Sequence, residues 1–413
     1  MSFSEATLGE ISIEGKGSYG IAASAVNYSR DLYTYLRITD INDDGTLNKE
    51  GLKSVDDKNA TKYILKPNDI VFARTGASTG RSYFYDGCDG EFVYAGFLIK
   101  FSLDTQKVNP KFIRYYTLSD EYNSWVNSFK TGSTRGNINA QTYANMKINL
   151  PDRNQQNLLV QTLSCLDAKI EINNRINNTL EEMVQAIFKS WFVDFEPFQD
   201  GEFEDSELGM IPKGWGVGAL GNYVKSIDNR GKTPPLAECV TGYPIIDVRA
   251  LSGETRVINY NNCTKYVDEN TYNNWFRSGH PQPYDILIST VGSLAEMKLF
   301  YGNRGCVAQN VVGFRCINIS PLYLYQYLQY IKSDLISYNI GSVQPSIKVT
   351  HIIKHKILIP EDTVLENFHK LVDALSRQIF KNSEATVKLI EIRDAILPKL
   401  MSGEIRVPIE EVQ

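Results

Sequence analysis

Two long stretches of the chain place apolar residues at alternating spacings of four and three, the pattern of a helix that buries one narrow stripe against another helix. In the first, Leu159, Leu163, Leu166, Ile170, Asn173, Asn177, Leu180, Val184, Ile187 and Trp191 keep that spacing without a break. In the second, Phe368, Val372, Leu375, Ile379, Asn382, Thr386, Leu389, Arg393, Ile396 and Leu400 repeat it 209 residues later. Asn173 and Asn382 fall on equivalent seam positions, where an amide costs stability but fixes register, because only one alignment pairs it. A helix from about Arg153 to Phe195 would span roughly 65 Å at about 1.5 Å per residue. No single globule can bury a stripe of that length, so the two helices are expected to pair with each other, antiparallel. Pro398 is expected to end the second helix, leaving Leu400 beyond it.

Ahead of each helix the period shortens to that of strands and turns. NDIVFARTGASTGRSYFYDGCDGEFVYAGF, from Asn68 to Phe97, shares its plan with YDILISTVGSLAEMKLFYGNRGCVAQNVVGF, from Tyr284 to Phe314. In both, an Asp opens an apolar strand, a turn of glycine and hydroxyls follows, and later strands end in Gly-Phe. Asn-Pro at 109 and Ser-Pro at 320 then open Tyr-rich amphipathic stretches. GSTRGNI from Gly132 is matched by GSVQPSI from Gly341, and MKINLP by HKILIP. The chain is therefore an internal repeat.

The predicted fold class is α/β, of the α+β kind: two mixed globular domains separated by two long helices that form an antiparallel coiled coil with pseudo-twofold symmetry. The expected boundaries are 1–151 for the first globule and 152–196 for the first helix. An acidic linker follows at 197–212, then the second globule at 213–360 and the second helix at 361–405. The linker assignment rests on the stretch from Glu196 to Trp215, which carries proline, glycine and six carboxylates.

A chain of 413 residues with 42% hydrophobic and 22% charged residues suits an ordinary globular protein. No run of eighteen apolar residues occurs, and MSFSEATLGE lacks a signal-peptide pattern, so a cytoplasmic location is expected. Six cysteines without a C-x-x-C pair predict reduced, mostly buried thiols, with no disulfide and no zinc site. The net charge of -5 is unevenly spread. Residues 1–150 hold 17 basic and 17 acidic side chains, and residues 210–360 hold 15 and 9. Residues 151–209 hold 4 and 12, and residues 361–413 hold 7 and 10. The acidity lies in the helical and linker regions, which leaves both globules free to meet a polyanion.

Catalytic patterns are incomplete. Gly231-Lys232-Thr233 ends like a phosphate-binding loop, but Ser226 stands where its first glycine belongs. Asn109-Pro110-Lys111-Phe112 and Thr233-Pro234-Pro235-Leu236 are imperfect versions of the base-holding loop of an amino-methyltransferase, and no glycine-rich cofactor loop accompanies them. Asp152, Asp167 and Lys169 imitate a nuclease, yet about 22 Å of helical rise would keep Asp152 from sharing an ion with the other two. Asp152 reads instead as a helix N-terminal residue. His351 and His355 have a metal-compatible spacing but no Glu partner, and a structural or DNA-facing role is favoured; His280 and His369 are isolated. No metal ligands are assigned.

The order of these motifs resembles the DNA-specificity subunit of type I restriction-modification enzymes, a phage-defence system. The residues carrying the likeness are GMIPKGW from Gly209, NRGKTPP from Asn229, the paired strands with their glycine turns, GSTRGNI and GSVQPSI, INLP and ILIP, and ILPKLMSGEI near the end. It covers essentially the whole chain, except that the first globule lacks its own IPKGW and starts at LGEISIEG. The resemblance implies a noncatalytic subunit whose two globules are target recognition domains, each reading half of an asymmetric bipartite site in double-stranded DNA. The helix pair would set the spacer and dock two methyltransferase subunits, which restriction subunits can join. It implies no cofactor on this chain, with S-adenosylmethionine, ATP and Mg in the partner subunits. The alternatives are a noncatalytic coiled-coil scaffold without sequence reading, or a self-contained DNA modification enzyme.

On that reading the turns after the paired strands carry the DNA contacts. In the first globule these are Arg74, Thr75, Ser78, Thr79 and Arg81, with Ser133, Arg135 and Asn137. In the second they are Arg230, Lys232, Ser289, Thr290, Ser293 and Lys298, with Gln309, Asn310, Ser342, Gln344, Ser346 and Lys348. Gly76, Gly80, Gly132, Gly292 and Gly341 are expected to serve backbone geometry.

Overall fold

In a computed structural model the described residues are 3–49, 51–129, 136–253, 255–302, 304–341 and 343–407. They fold as two units, one comprising residues 1–169 and 389–413 and the other residues 170–388.

In the first unit, Phe3–Thr7 pairs antiparallel with Lys147–Pro151. A four-stranded sheet runs in the spatial order Ser18–Tyr19, Leu98–Ser102, Asp69–Ala73, Ser82–Tyr85. A second sheet runs Ala25–Asn27, Lys53–Val55, Tyr33–Leu36, Phe92–Tyr94, its last pair parallel. The central strand Asp69–Ala73 is buried throughout because both of its faces are covered. Ile70 and Phe72 point into a core with Phe112, Tyr115 and Tyr143, while Val71 and Ala73 point into another with Tyr83, Tyr85 and Phe92. That two-sided burial explains a continuous apolar run where a half-buried strand would alternate.

The second unit repeats the plan. Gly216–Ala219 pairs with Lys356–Ile359, and a four-stranded sheet runs Val224–Ile227, Val311–Cys316, Ile286–Ser289, Met297–Leu299. The smaller sheet runs Tyr266–Val267, Tyr243–Ile246, Cys306–Val307, again with its last pair parallel. Asn68 and Tyr284, the residues before the two strand-opening aspartates, both adopt left-handed backbone at φ 73° and 71°. Each aspartate is then bound by a neighbouring strand: Ser102 donates to Asp69 at 2.5 Å, and Arg315 donates two bonds to Asp285, at 3.1 and 2.7 Å.

Both long helices are present, at Arg153–Phe192 and Asp362–Met401, 40 residues each. The side chain of Asp152 accepts the Gln155 N–H at 3.0 Å, so it caps the first helix. That helix stops short of the expected Phe195, which is left-handed at φ 54°. The second helix runs through Pro398, contrary to expectation. A proline this near the C-terminus forfeits one N–H donor, and the burial of Leu400 in the first unit's core holds the final turn in place.

Within the second unit the helices run antiparallel. The Asn173 amide donates to Thr386 Oγ1 at 3.3 Å and the Asn382 amide to Asn177 Oδ1 at 2.9 Å. The offset of 209 turns 173 into 382 and 177 into 386, so each contact is the other's image, as expected of a self-complementary twofold interface. The seam asparagines therefore pair with the next polar layer instead of each other. In the first unit, Leu159 and Leu163 share a core with Leu397 and Leu400. Leu166, Ile170, Leu180, Ile187, Leu375, Leu389 and Ile396 are half-buried, while Phe368, Val372 and Ile379 are fully buried.

Within the expected linker, Phe203–Ser206 pairs with Gly209–Pro212 as a β-hairpin. One further expectation, of mostly buried thiols, needs correction. Of the cysteines, only Cys263 and Cys306 are buried; Cys88, Cys165 and Cys239 are exposed because they lie on a turn, an outward helix face and a loop.

Candidate functional site

The turn that follows each central strand is closed by the same backbone bonds in both units. In the first, Ala73 donates to the Arg81 carbonyl at 2.8 Å and receives the Gly80 N–H at 2.9 Å. In the second, Ser289 donates to Glu296 at 2.9 Å and receives the Ala295 N–H at 3.0 Å. Gly76 and Gly292 sit at φ +79° and +87° with open space where a side chain would stand, so backbone geometry alone accounts for glycine there. At Gly80 there is also no room: an added Cβ would lie 2.3 Å from Val126.

Two other segments flank each turn. The Arg74 N–H donates to the Phe97 carbonyl at 3.1 Å, and the Arg74 carbonyl accepts from Ile138 at 2.9 Å. Correspondingly, the Thr290 N–H donates to Asn310 at 2.7 Å and its carbonyl accepts from Ile347 at 2.9 Å. A β-bridge links Thr75 to Asn137 in the first unit and Val291 to Ser346 in the second. The frame is thus duplicated while the side chains on it differ: Arg74 against Thr290, Thr75 against Val291, Phe97 against Asn310, Asn137 against Ser346.

Several candidates prove to hold this frame together. Thr79 is buried and donates to the carbonyls of Gly76 at 2.8 Å and Gly136 at 3.0 Å, tying turn to flanking segment. Ser78 is buried beside it. Ser289 donates to the Ser293 carbonyl, and Thr290 to that of Asn310. Lys298 gives its ammonium to the carbonyls of Gly253 and Thr255. Ser289, Thr290 and Lys298 have no surface with which to meet a base, which corrects their assignment; a hydroxyl or amine looks the same in sequence whether it faces solvent or a buried carbonyl.

The remaining candidates reach the surface. Asn137, Lys232, Ser293, Gln344 and Lys348 are exposed; Arg74, Thr75, Arg81, Arg230, Gln309, Asn310 and Ser346 are half-buried. Arg81 is turned toward Asp43 at 2.6 Å and the Ile41 carbonyl at 3.0 Å. Arg230 is bonded to Asp228 at 2.9 and 2.6 Å and reaches Thr290 Oγ1 at 3.3 Å. Those bonds hold the Asp228 carboxyl below its ordinary range. Gln309 bonds Thr233, joining the 229–235 loop to this face. Ser133, Arg135, Gly132 and Ser342 lie outside the described residues.

Sequence reasoning missed Tyr19 and Phe97. The Tyr19 hydroxyl accepts the Ala140 N–H at 3.1 Å, and its ring lies 5.0 Å from the Arg74 guanidinium carbon. Phe97 is 58% exposed and precedes the strand Leu98–Ser102 instead of ending one; Phe101, not Phe97, stands where Phe314 does, which corrects the matching of the two Gly-Phe pairs. The imitation of a nuclease dissolves: Asp167 binds Arg114 at 3.3 Å, Arg393 at 3.1 Å and the Tyr115 hydroxyl at 2.7 Å. Tyr338 separates the two spaced histidines, meeting His355 Nδ1 at 2.8 Å and packing 6.2 Å from His351. Burial lowers the His355 pKa. Among the described residues no cluster of three metal-ligating side chains occurs, and no helix is long and apolar enough to cross a membrane.

Comparison with known proteins adds family context. A family model, the type I restriction modification DNA specificity domain, matches residues 8–182 and 212–389. The chain is 27% identical over 308 residues to the type I restriction enzyme MjaIX specificity subunit of Methanocaldococcus jannaschii, covering 73% of this chain and 70% of that one. It is 25% identical over an alignment of 465 residues to the type I restriction enzyme HindI specificity subunit of Haemophilus influenzae, covering 94% and 99%. The crystal structure of a type I restriction-modification system S subunit from M. genitalium matches with a TM-score of 0.55 at 16% identity, over 97% of this chain and 96% of that one, a likeness of fold.

Proposed function

The chain belongs to the type I restriction modification DNA specificity domain family, and from that premise we propose that it is a noncatalytic specificity subunit whose two globules each read one half of a bipartite, asymmetric DNA site. The observation that carries this reading is the duplicated frame with unlike side chains. Equivalent backbone pairings place Arg74, Thr75, Phe97 and Asn137 in one unit where Thr290, Val291, Asn310 and Ser346 stand in the other. One fold placed twice with different reading groups suits two unlike half-sites. The paired helices set the unread spacer.

Gln344 offers the direct test. Its exposed amide can accept and donate in the pattern that adenine presents in the major groove. Replacing it by Ala is expected to relax one position of one half-site, by about 1–3 kcal/mol of discrimination, and to leave the other half unchanged. The measurement is the methylated motif across a host genome carrying the variant. Equal loss in both halves would point to folding or general phosphate attraction.

Methyl transfer and cutting then belong to partners: two methyltransferase subunits, joined by restriction subunits, which bring S-adenosylmethionine, ATP and Mg in the cytoplasm. Ile172, Ile176 and Met183 are exposed on the first helix outside its seam and form the docking face for a methyltransferase subunit. Ile176→Glu is expected to weaken copurification of that subunit about tenfold or more while leaving the melting temperature unchanged, because the side chain packs little in the free chain. Undiminished copurification would move the docking face elsewhere.

A further inference from the structure

The first unit offers one arginine whose outer edge is unspent. Arg74 is half-buried, and its Nε is buried without a hydrogen-bond partner. No bond to its terminal amino groups exists among the described residues, and those groups remain accessible. The guanidinium carbon lies over the Tyr19 ring, 5.0 Å from its centroid, and the Ala140 N–H donates to that ring's hydroxyl at 3.1 Å. Its backbone is pinned on both sides, to Phe97 and to Ile138. An arginine prepared in this way presents two parallel N–H groups on a rigid base, the geometry that matches O6 and N7 of guanine. A cation that only followed the phosphate backbone would need charge and reach, with no stacking platform.

The second unit shows the contrast. The residue in the place of Arg74 is Thr290, fully buried. The nearby Arg230 has its fork occupied by Asp228 and a further nitrogen on Thr290, while Arg277 donates to the Arg230 carbonyl at 2.9 Å. We infer that Arg74 selects a guanine in the half-site read by the first globule, and that the equivalent position of the second globule selects no base. The inference rests on the specificity reading above and narrows it to one residue and one base.

The test is selection from random duplexes by the full-length chain, purified with the subunits that accompany it, alongside Arg74→Lys and Arg74→Ala. Both variants are expected to lose preference at a single G·C position of one half-site, about tenfold or more, with the other half-site intact as the internal check on folding. Lysine keeps the charge but cannot supply the planar pair of donors. Retained preference in Arg74→Lys would make Arg74 a phosphate contact and overturn the inference. So would equal losses in both half-sites, or a first half-site without any G·C position. If the unaltered chain selects no sequence at all, the specificity reading falls, and this inference with it.

Discussion

Replacing Glu181 by Ala is expected to destabilise the second unit by about 3–5 kcal/mol. Arg256 is 0% exposed, and Glu181 on the first long helix accepts its backbone N–H at 2.9 Å, Nε at 3.0 Å and a terminal nitrogen at 2.6 Å. The remaining terminal nitrogen donates to Ser376 Oγ, on the second long helix, at 2.5 Å. The Tyr325 ring covers the guanidinium at 5.6 Å. Burial opposes the charge, but the contact with Glu181 outweighs it and keeps the arginine's pKa above its ordinary value. Without the carboxylate, a guanidinium stays buried with no counter-charge and several unmet donors. The loss corresponds to roughly 6–20 °C in melting temperature for a unit of this size. Glu181→Gln, which keeps an accepting oxygen, is expected to cost less. The double change Glu181→Met, Arg256→Met is expected to recover most of the loss, because an apolar pair leaves nothing unpaired. A Glu181→Ala protein that melts like the parent would show that solvent reaches the arginine.

The ion pair at Glu181 also marks what the sequence concealed. Glu181 follows the seam residue Leu180, and nothing in the heptad pattern separates it from an outward-facing acid. Its partner comes 75 residues later, from an irregular segment with no period to read. The repeat, by contrast, is legible: the offset of 209 locates both helices, their length calls for the antiparallel pairing, and the shared plan of Asn68–Phe97 and Tyr284–Phe314 locates the matching turns. Side-chain partners across the seam were less accessible. Asn173 and Asn382 were placed on the right stripe, yet their partners Thr386 and Asn177 follow from the stagger of the helices, which composition does not encode. Among the candidate DNA contacts, Asn137, Gln344 and Lys348 lie at the surface, whereas Ser289, Thr290 and Lys298 close buried carbonyls. Glycine-and-hydroxyl turns carry both kinds of residue, and only the packing beneath tells them apart. Tyr19 and Phe97 stand apart from the polar motifs, and an aromatic in or beside a strand carries no mark of exposure in the sequence.

The double substitution Leu397→Ala, Leu400→Ala is expected to unfold the first unit, although both residues lie at the far end of the sequence. Leu397 and Leu400 are buried in the core that also holds Leu8, Ile148, Leu150, Leu159 and Leu163. The last turns of the second helix therefore complete the globule with which the chain begins. Each truncation removes buried methyl groups and leaves a cavity, at about 2–5 kcal/mol apiece. Because the two side chains border one space, the pair should cost less than the sum, about 4–8 kcal/mol, which rivals the whole stability of an ordinary domain. Hydrogen exchange resolves where the damage falls. Protection should be lost across Asp69–Ala73, Leu98–Ser102 and Lys147–Pro151, and kept in Ile286–Ser289 and Val311–Cys316. Lys399, exposed between the two leucines, serves as the comparison, and Lys399→Ala should leave both units intact. Should the double variant expose 362–388 first and spare 69–102, the C-terminal turns would be an appendage of the second unit. The first globule would then stand without them, and the closure of the chain onto its own beginning would have no energetic content.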